Sequence, residues 1–178
     1  MKNNMKLIQK FLMIVMVMLA WSSITISAKG DKVDDNHLSC DGPYVIYLPD
    51  GGVRVVSVTV AGEVKDTTYA SLPDNFTLHV TDHEGNYPFD VRLHPVVRQE
   101  WKQSQAKKTF VMSDPHGRLN LVISLLQANG VIDSQLRWSY GDNQLVVIGD
   151  IFDRGYDVPQ IFWLFYKLEA EAAECGGR

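Results

Sequence analysis

A strand and helix pattern that occurs twice in the second half of the chain restricts its fold more than any other feature. Two short runs of apolar, β-forming residues, 109–112 and 145–148, are each followed by a polar segment containing glycine and then by a helical pattern. The first predicted helix, 118–129, has apolar residues at helical spacing, and Gly130 is expected to end it. The second, 158–174, is apolar on most sides over its first half, so other parts of the protein must cover it.

A strand, helix and strand of these lengths predict two parallel strands joined by a right-handed crossover, which is typical of the α/β class. Two strands are too few to cover a helix as apolar as the second one. We therefore expect residues 108–178 to be the N-terminal part of a helix-covered α/β domain, and the chain to be a fragment of a longer protein.

The first half of the chain predicts a different architecture, a small antiparallel β module over residues 29–97. Two pairs of apolar runs flank the turn segments 49-PDGG-52 and 82-DHEGN-86, and this arrangement is typical of hairpins. The polar stretch 98–107 is interpreted as a linker. The runs that we expect to pair are 44–48 with 53–60, and 76–80 with 87–93.

The first residues of the chain resemble a secretory signal. Lysines precede an apolar run at 11–21, and small and polar residues follow it up to Ala28. The run is shorter than the roughly 20 residues that a membrane-spanning helix needs. We predict a signal peptide at residues 1–28 and an exported bacterial protein, periplasmic or secreted, without a stable membrane span after cleavage. A short membrane anchor is the alternative.

The charge of the chain limits the class of its partners. Removal of Lys2, Lys6 and Lys10 with the signal would change the net charge from −4 to −7. A surface this acidic argues against nucleic acid as a partner, because the phosphate backbone attracts basic proteins. The two cysteines, Cys40 and Cys175, exclude a metal site built from cysteines, and their spacing neither requires nor forbids a disulfide.

Charged residues follow both predicted strands of the α/β part, in 113-SDPHGR-118 and 149-GDIFDRG-155. The carboxyl ends of neighbouring parallel strands meet at one edge of a sheet, about 5 Å apart. Asp114 and Asp150 are therefore expected to lie close together, with His116 beside them. Two such carboxylates need a proton or a cation between them, and the added imidazole favours manganese, iron or zinc. These residues are the predicted metal ligands.

Two further residues of the second segment suit phosphate chemistry. The guanidinium of Arg154 can bind two phosphate oxygens at once, which makes it the predicted phosphate clamp. Asp153 could then orient a histidine that acts as a general acid, although no histidine follows it in the chain.

Simpler interpretations of these residues remain open at this point. Ser113 or Asp114 could cap the first helix, Asp153 and Arg154 could form a surface ion pair, and Asp157 is interpreted as a helix cap. No role is assigned to the other four histidines, which are His37, His79, His83 and His94.

At these residues the chain resembles the calcineurin-like metallophosphoesterases, within them the serine/threonine phosphoprotein phosphatases, and most of all the bacterial Shewanella-like branch. The family motif Gly-Asp-x-His-Gly corresponds to 113-SDPHG-117, where Ser113 replaces the first glycine, and Gly-Asp-x-x-Asp-Arg-Gly matches 149-GDIFDRG-155. The third family motif, Gly-Asn-His-Glu, has no match in the chain.

The resemblance implies two divalent metal ions, manganese, iron or zinc, that activate a bridging water to hydrolyse phosphomonoesters of small molecules or proteins. It implies that Asp114 and His116 bind the first metal, that Asp150 bridges both metals, and that Arg154 holds the phosphate. Asp153 would support the histidine of the third motif. With that motif missing, we expect the isolated chain to be inactive or barely active. The alternatives are a phosphodiesterase or dinucleoside-polyphosphate hydrolase on the same scaffold, and a non-catalytic secreted binding module.

Overall fold

The computed structural model describes residues 40–98 and 100–178, which fall within one compact unit. The predicted signal peptide at 1–28 and the start of the predicted β module up to residue 39 lie outside the described residues. Within the described part of the chain, no helix is both long enough and apolar enough to cross a bilayer.

The described residues form an α/β fold with small antiparallel sheets on its N-terminal side, as the sequence predicts. A three-stranded sheet and a separate hairpin precede a parallel strand pair with two helices. The elements are β1 (Asp41–Tyr47), β2 (Val53–Val58), β3 (Val64–Tyr69), β4 (Thr77–Val80), β5 (Phe89–Arg92), β6 (Thr109–Ser113), α1 (Leu119–Ala128), β7 (Gln144–Ile148) and α2 (Val158–Glu174).

Both predicted hairpins are confirmed, since β1 pairs with β2 and β4 pairs with β5 in antiparallel register. Strand β3, which continues the first sheet by pairing with β2, was not predicted. Its sequence, VKDTTY, is exposed along almost its whole length. The strand therefore lacks the alternation of apolar and polar residues that reveals a half-buried strand in a sequence.

Strands β6 and β7 are parallel and in register from Thr109 opposite Gln144 to Ser113 opposite Ile148, which confirms the predicted βαβ unit. Helix α1 forms the crossover. It buries a narrow apolar stripe and leaves Leu125, which we predicted to be part of that stripe, 43% exposed. The buried residues of α1 are Leu119, Val122, Ile123 and Leu126.

One apolar core joins the β4–β5 hairpin to the helices. Leu78, Val80, Phe89 and Val91 of the hairpin are buried in the same cluster as the inner faces of α1 and α2. Burial of each such side chain contributes about 1.5–3 kcal/mol. The opposite side of α2 is not covered in this way, because Phe162 is exposed there and borders an apolar groove of about 940 Å³.

Polar contacts also join α2 to the β module. The Trp163 indole N–H donates to the carbonyl of Pro43 at 2.7 Å. Tyr166 stacks on the ring of His94 with a centroid distance of 3.9 Å. The Tyr166 hydroxyl accepts from the His94 N–H and donates to its carbonyl, both at 2.6 Å. The long helix is therefore attached to the module at several points along its length.

Both cysteines are free thiols in the structure, Cys40 buried and Cys175 exposed. Burial raises the pKa of the Cys40 thiol. A buried thiol with a raised pKa is a poor nucleophile, so Cys40 serves packing.

Candidate functional site

The pairing of β6 with β7 continues past the ends of the strands and brings two loops together, residues 113–118 and 149–157. Their backbones exchange hydrogen bonds in nearly regular succession. The donors and acceptors are Asp114 N with Ile148 O at 3.3 Å, His116 N with Asp150 O at 3.2 Å, Gly117 N with Ile151 O at 2.9 Å, and Asp157 N with Gly117 O at 3.0 Å. The two charged segments of the sequence thus form one structural unit.

Three glycines make this close approach of the loops possible. A Cβ on Gly117 would lie 2.7 Å from the carbonyl carbon of Gly155, and a Cβ on Gly155 would overlap the backbone of Gly117. Gly149 has a φ of 78°, and a Cβ there would lie 2.8 Å from Oδ2 of Asp114. Gly117 and Gly155 thus leave room for the backbone of the neighbouring loop.

The predicted metal ligands lie next to one another at this edge. Oδ1 of Asp114 accepts the backbone N–H of Asp150 at 3.2 Å, and Nδ1 of His116 lies 3.9 Å from Oδ2 of Asp150. Nδ1 of His116 also lies 2.8 Å from the carbonyl of Phe152. A carbonyl can only accept, so Nδ1 carries a proton, and in the neutral ring the lone pair for a ligand is then on Nε2.

Hydrogen bonds keep Asp114 charged. The hydroxyl of Ser113 donates to Oδ2 of Asp114 at 2.6 Å. This bond, together with the backbone N–H of Asp150, lowers the pKa of the Asp114 carboxyl. Helix α1 begins only at Leu119, with Arg118 as its N-cap residue. The alternative in which Ser113 or Asp114 caps the helix therefore does not apply.

The donor types at this edge fit a divalent transition metal, but their positions do not yet enclose one. Two carboxylates and an imidazole nitrogen are a ligand set that manganese, iron and zinc accept. Across residues 40–98 and 100–178, however, no group of three or more histidine, cysteine, aspartate or glutamate side chains lies close enough to hold a metal ion. The predicted ligands thus lie next to one another, but three of them do not come close enough together to hold one ion.

A cleft of about 420 Å³ lies beside these residues, and Arg154 forms part of its wall with Asp114 and His116. The side chain of Arg154 is 70% exposed. Asp153 accepts the backbone N–H of Arg154 at 2.8 Å, and its other oxygen lies 3.8 Å from Nε of Arg154. Both oxygens of Asp153 thus face Arg154, which gives this carboxylate a local contact beside its predicted support of a histidine.

Backbone strain is concentrated at the same residues. Asp114, His116, Asp153 and Arg154 have φ values of 51°, 44°, 70° and 70°. The left-handed region costs a residue other than glycine about 1–3 kcal/mol and persists only where surrounding contacts maintain it. In the described part of the chain, Leu136 is the one other non-glycine residue with a positive φ.

Two features of the site were missed in the sequence. Arg118 lines the cleft as a second guanidinium, and its position directly after the motif 113-SDPHG-117 could have suggested this. Asp157 was interpreted as a helix cap, which is wrong for its side chain, because no cap hydrogen bond forms. The carboxylate instead accepts from His83, to which we had assigned no role. The two residues are 74 positions apart, so no local pattern could reveal the contact.

Comparisons with known proteins find partial matches to this chain. No protein-family model matches the chain. The chain is 33% identical over 72 residues to Shewanella-like protein phosphatase 2 of Arabidopsis thaliana. It is 34% identical over 71 residues to an uncharacterized protein of Schizosaccharomyces pombe. These matches cover 40% and 39% of the chain but only 18% and 21% of the two relatives.

Solved structures extend the similarity to most of the fold. The cold-active protein-tyrosine phosphatase of a psychrophilic Shewanella species superposes with a TM-score of 0.63 at 30% identity. A mutant of a cold-active protein tyrosine phosphatase gives a TM-score of 0.63 at 29% identity. Each superposition covers 78% of this chain and 40% of the solved chain. The chain thus spans less than half of these structures and about a fifth of the curated relatives.

The fold defines the class, which is an α/β fold of the metallophosphoesterase type. Within that class, the matched residues are homologous to the Shewanella-like protein phosphatases, which confirms the predicted resemblance over this part of the chain.

Proposed function

We propose that the chain carries part of the active site of a metal-dependent phosphoesterase that hydrolyses phosphomonoesters, including those of phosphoproteins. The observation that carries this proposal is the arrangement at one edge of the β6–β7 pair. There, Asp114, His116 and Asp150 are neighbours, and Arg154 lines the same cleft as Asp114 and His116. The Arabidopsis relative and the solved Shewanella protein are both named phosphatases, which supports phosphate ester chemistry.

Each residue has a distinct task in this proposal. Asp114, His116 and Asp150 would supply half of the ligands for two divalent ions, manganese, iron or zinc, which when bound supply an activated water and neutralise phosphate charge. The bond from Nδ1 of His116 to the Phe152 carbonyl orients the ring and keeps Nε2 available. The Ser113 hydroxyl keeps Asp114 anionic.

Phosphate recognition falls to the arginines of the cleft. Arg154 can bind two oxygens of a phosphoryl group through its planar guanidinium, and Arg118 adds a second positive charge to the same wall. Two guanidinium groups suit the dianion of a phosphomonoester. Asp153 holds the backbone of Arg154 in this chain, and we retain its support of a histidine as part of the proposal. The signal-like sequence at 1–28 supports an exported protein.

The metal part of the proposal is tested by titration of MnCl₂ into the protein, followed by calorimetry. We expect Asp150→Asn to weaken Mn²⁺ binding at least about tenfold, because an amide oxygen carries no charge. Asp142→Asn is the matched control, since Asp142 is an exposed carboxylate paired with Lys107 away from the cleft. Equal Mn²⁺ affinity of the parent and Asp150→Asn proteins would contradict a metal site at this edge.

The phosphate part is tested by binding of inorganic phosphate in the presence of Mn²⁺, together with turnover of p-nitrophenyl phosphate. We expect Arg154→Ala to weaken phosphate binding roughly 10-fold to 100-fold, and Arg137→Ala, which breaks an exposed pair with Asp133, to leave it unchanged. Turnover by the isolated chain is expected to be absent or very slow. A protein that binds neither Mn²⁺ nor phosphate would instead support the binding-module alternative.

A further inference from the structure

Asp157 connects the second strand-end loop to the β module through His83. Its carboxylate is only 2% exposed. It accepts the backbone N–H of His83 at 2.8 Å, and its two oxygens lie 3.0 and 3.1 Å from Nδ1 of the same histidine. A buried carboxylate needs such donors, because a charge left unpaired inside a protein is strongly unfavourable. His83 thus supplies the side-chain partner that the helix does not provide.

The same aspartate joins three elements through its backbone. Its N–H donates to the carbonyl of Gly117 in the first loop at 3.0 Å. Its carbonyl accepts from Ile161 in the first turn of α2, also at 3.0 Å. The position of Asp157 therefore determines where the second loop ends relative to the first loop and to the helix.

Hydrogen bonds to the buried Asp82 hold the turn that contains His83. Asp82 is 2% exposed, its carboxylate accepts the N–H of Tyr87 at 2.8 Å, and its carbonyl accepts the N–H of Gly85 at 3.0 Å. The His83 ring also lies against Tyr156, with a centroid distance of 4.8 Å. His83 therefore contacts two consecutive residues of the loop from a fixed position.

Arg154 depends on this fixation. It precedes Tyr156 by two positions, and its φ of 70° belongs to a region that a residue other than glycine occupies only when neighbouring contacts maintain it. On one side of Arg154 the carbonyl of Phe152 is bonded to His116, and on the other side Tyr156 and Asp157 are bound by His83.

We propose that His83 is a positioning residue through which the β module sets the orientation of the phosphate clamp. It binds Tyr156 and Asp157, and so holds the backbone that presents Arg154 to the cleft. This inference rests on the proposed function, because Arg154 is a phosphate ligand only there. His83 itself lies outside the cleft lining and is not a catalytic residue.

Three variants separate the contributions of His83. His83→Ala removes the ring but keeps the backbone bond to Asp157, and His83→Asn restores a side-chain donor near the position of Nδ1. His79→Ala is the matched control, since His79 also pairs with an aspartate, Asp90, in the same hairpin but on the exposed surface. Two readouts are needed: amide hydrogen exchange of residues 152–157, and the affinity for inorganic phosphate in the presence of Mn²⁺.

We expect His83→Ala to accelerate exchange across residues 152–157 and to weaken phosphate binding about tenfold, because ligand groups lose precision when their supports are removed. His83→Asn should recover most of both effects, and His79→Ala should cause neither. Equal exchange, or equal phosphate affinity, in the parent and His83→Ala proteins would overturn the role of His83. Failure of the proposed function has a different signature, in which the parent and Arg154→Ala proteins both fail to bind phosphate.

Discussion

The turns of the β module and the loops at the ends of β6 and β7 differ in the residues that they place at positive φ. Both must reverse or deflect the backbone through positive φ. Within residues 40–98, every residue with positive φ is a glycine, and these are Gly42, Gly51, Gly62 and Gly85. In the strand-end loops the positive values also fall on Asp114, His116, Asp153 and Arg154.

The difference shows where the molecule tolerates strain. Glycine adopts positive φ without steric penalty, so the turns of the module are relaxed. The strand-end loops instead place charged side chains on strained backbone, and two of these residues, Asp114 and His116, form hydrogen bonds with the other loop. The packing of Gly117 on Gly155 holds the two loops together, and the next prediction addresses this contact.

The largest expected effect is that of Gly155→Ala. The added methyl group would overlap the backbone carbonyls of His116 and Gly117, which cannot move without separating the two loops. We expect the free energy of unfolding to fall by about 3 kcal/mol. Urea denaturation of the parent and variant proteins measures this difference. A loss no larger than that of the next variant would show that the loops can separate easily.

Gly51→Ala, in the turn between β1 and β2, should have a smaller effect. Gly51 has a φ of 88°, and a Cβ there would meet no atom within 4 Å. The substitution should therefore lower the free energy of unfolding only through the left-handed backbone conformation of the new alanine, by roughly 1–2 kcal/mol. The same urea denaturation checks this value. An effect near zero would mean that the turn can adopt another conformation.

Arg154→Gly should increase stability, by about 1 kcal/mol, because glycine accepts the φ of 70° without steric strain. Arg154→Ala is the matched control, since it also removes the guanidinium but keeps the strained backbone. Both variants should lose phosphate affinity to a similar extent. Equal unfolding free energies for the two variants would refute the view that strain is stored at this residue.

The smallest effect concerns titration in the β module. Burial raises the pKa of Tyr44 to about 12, and its hydroxyl donates to Asp41 at 2.9 Å. A raised pKa contributes stability that is complete below the unfolded value of about 10 and is lost as pH rises from there towards 12. Relative to Tyr44→Phe, the parent protein should become less stable between pH 9 and pH 11.5. A constant difference in melting temperature would contradict this. The effect is small because the side chain is partly exposed.

The elements that follow hydrophobic periodicity could be predicted from the sequence. The two hairpins, the parallel β6–β7 pair and helix α2 are confirmed, because each consists of an apolar run or periodicity typical of its element. Strand β3 could not be predicted from the sequence, because it is held by backbone pairing with β2 and not by buried side chains.

The candidate site also contains contacts that the sequence predicts and one that it does not. Asp114, His116, Asp150 and Arg154 could be brought together from the sequence, because the ends of adjacent parallel strands must meet. The contact of His83 with Asp157 depends on how the β4–β5 hairpin packs against α2, which no local pattern specifies. The metal ligation and the catalytic roles of these residues remain predictions.

The hydrogen bond from Trp163 to Pro43 spans 120 positions of the chain, and Tyr166 contacts His94 across 72. Such contacts give the protein a high contact order, and chains of this type fold slowly because a long loop must close before distant contacts can form. The β module leaves the ribosome first and must wait for α2 before its inner face is covered. During synthesis this delay leaves apolar surface of the module exposed, which makes the nascent chain prone to aggregation.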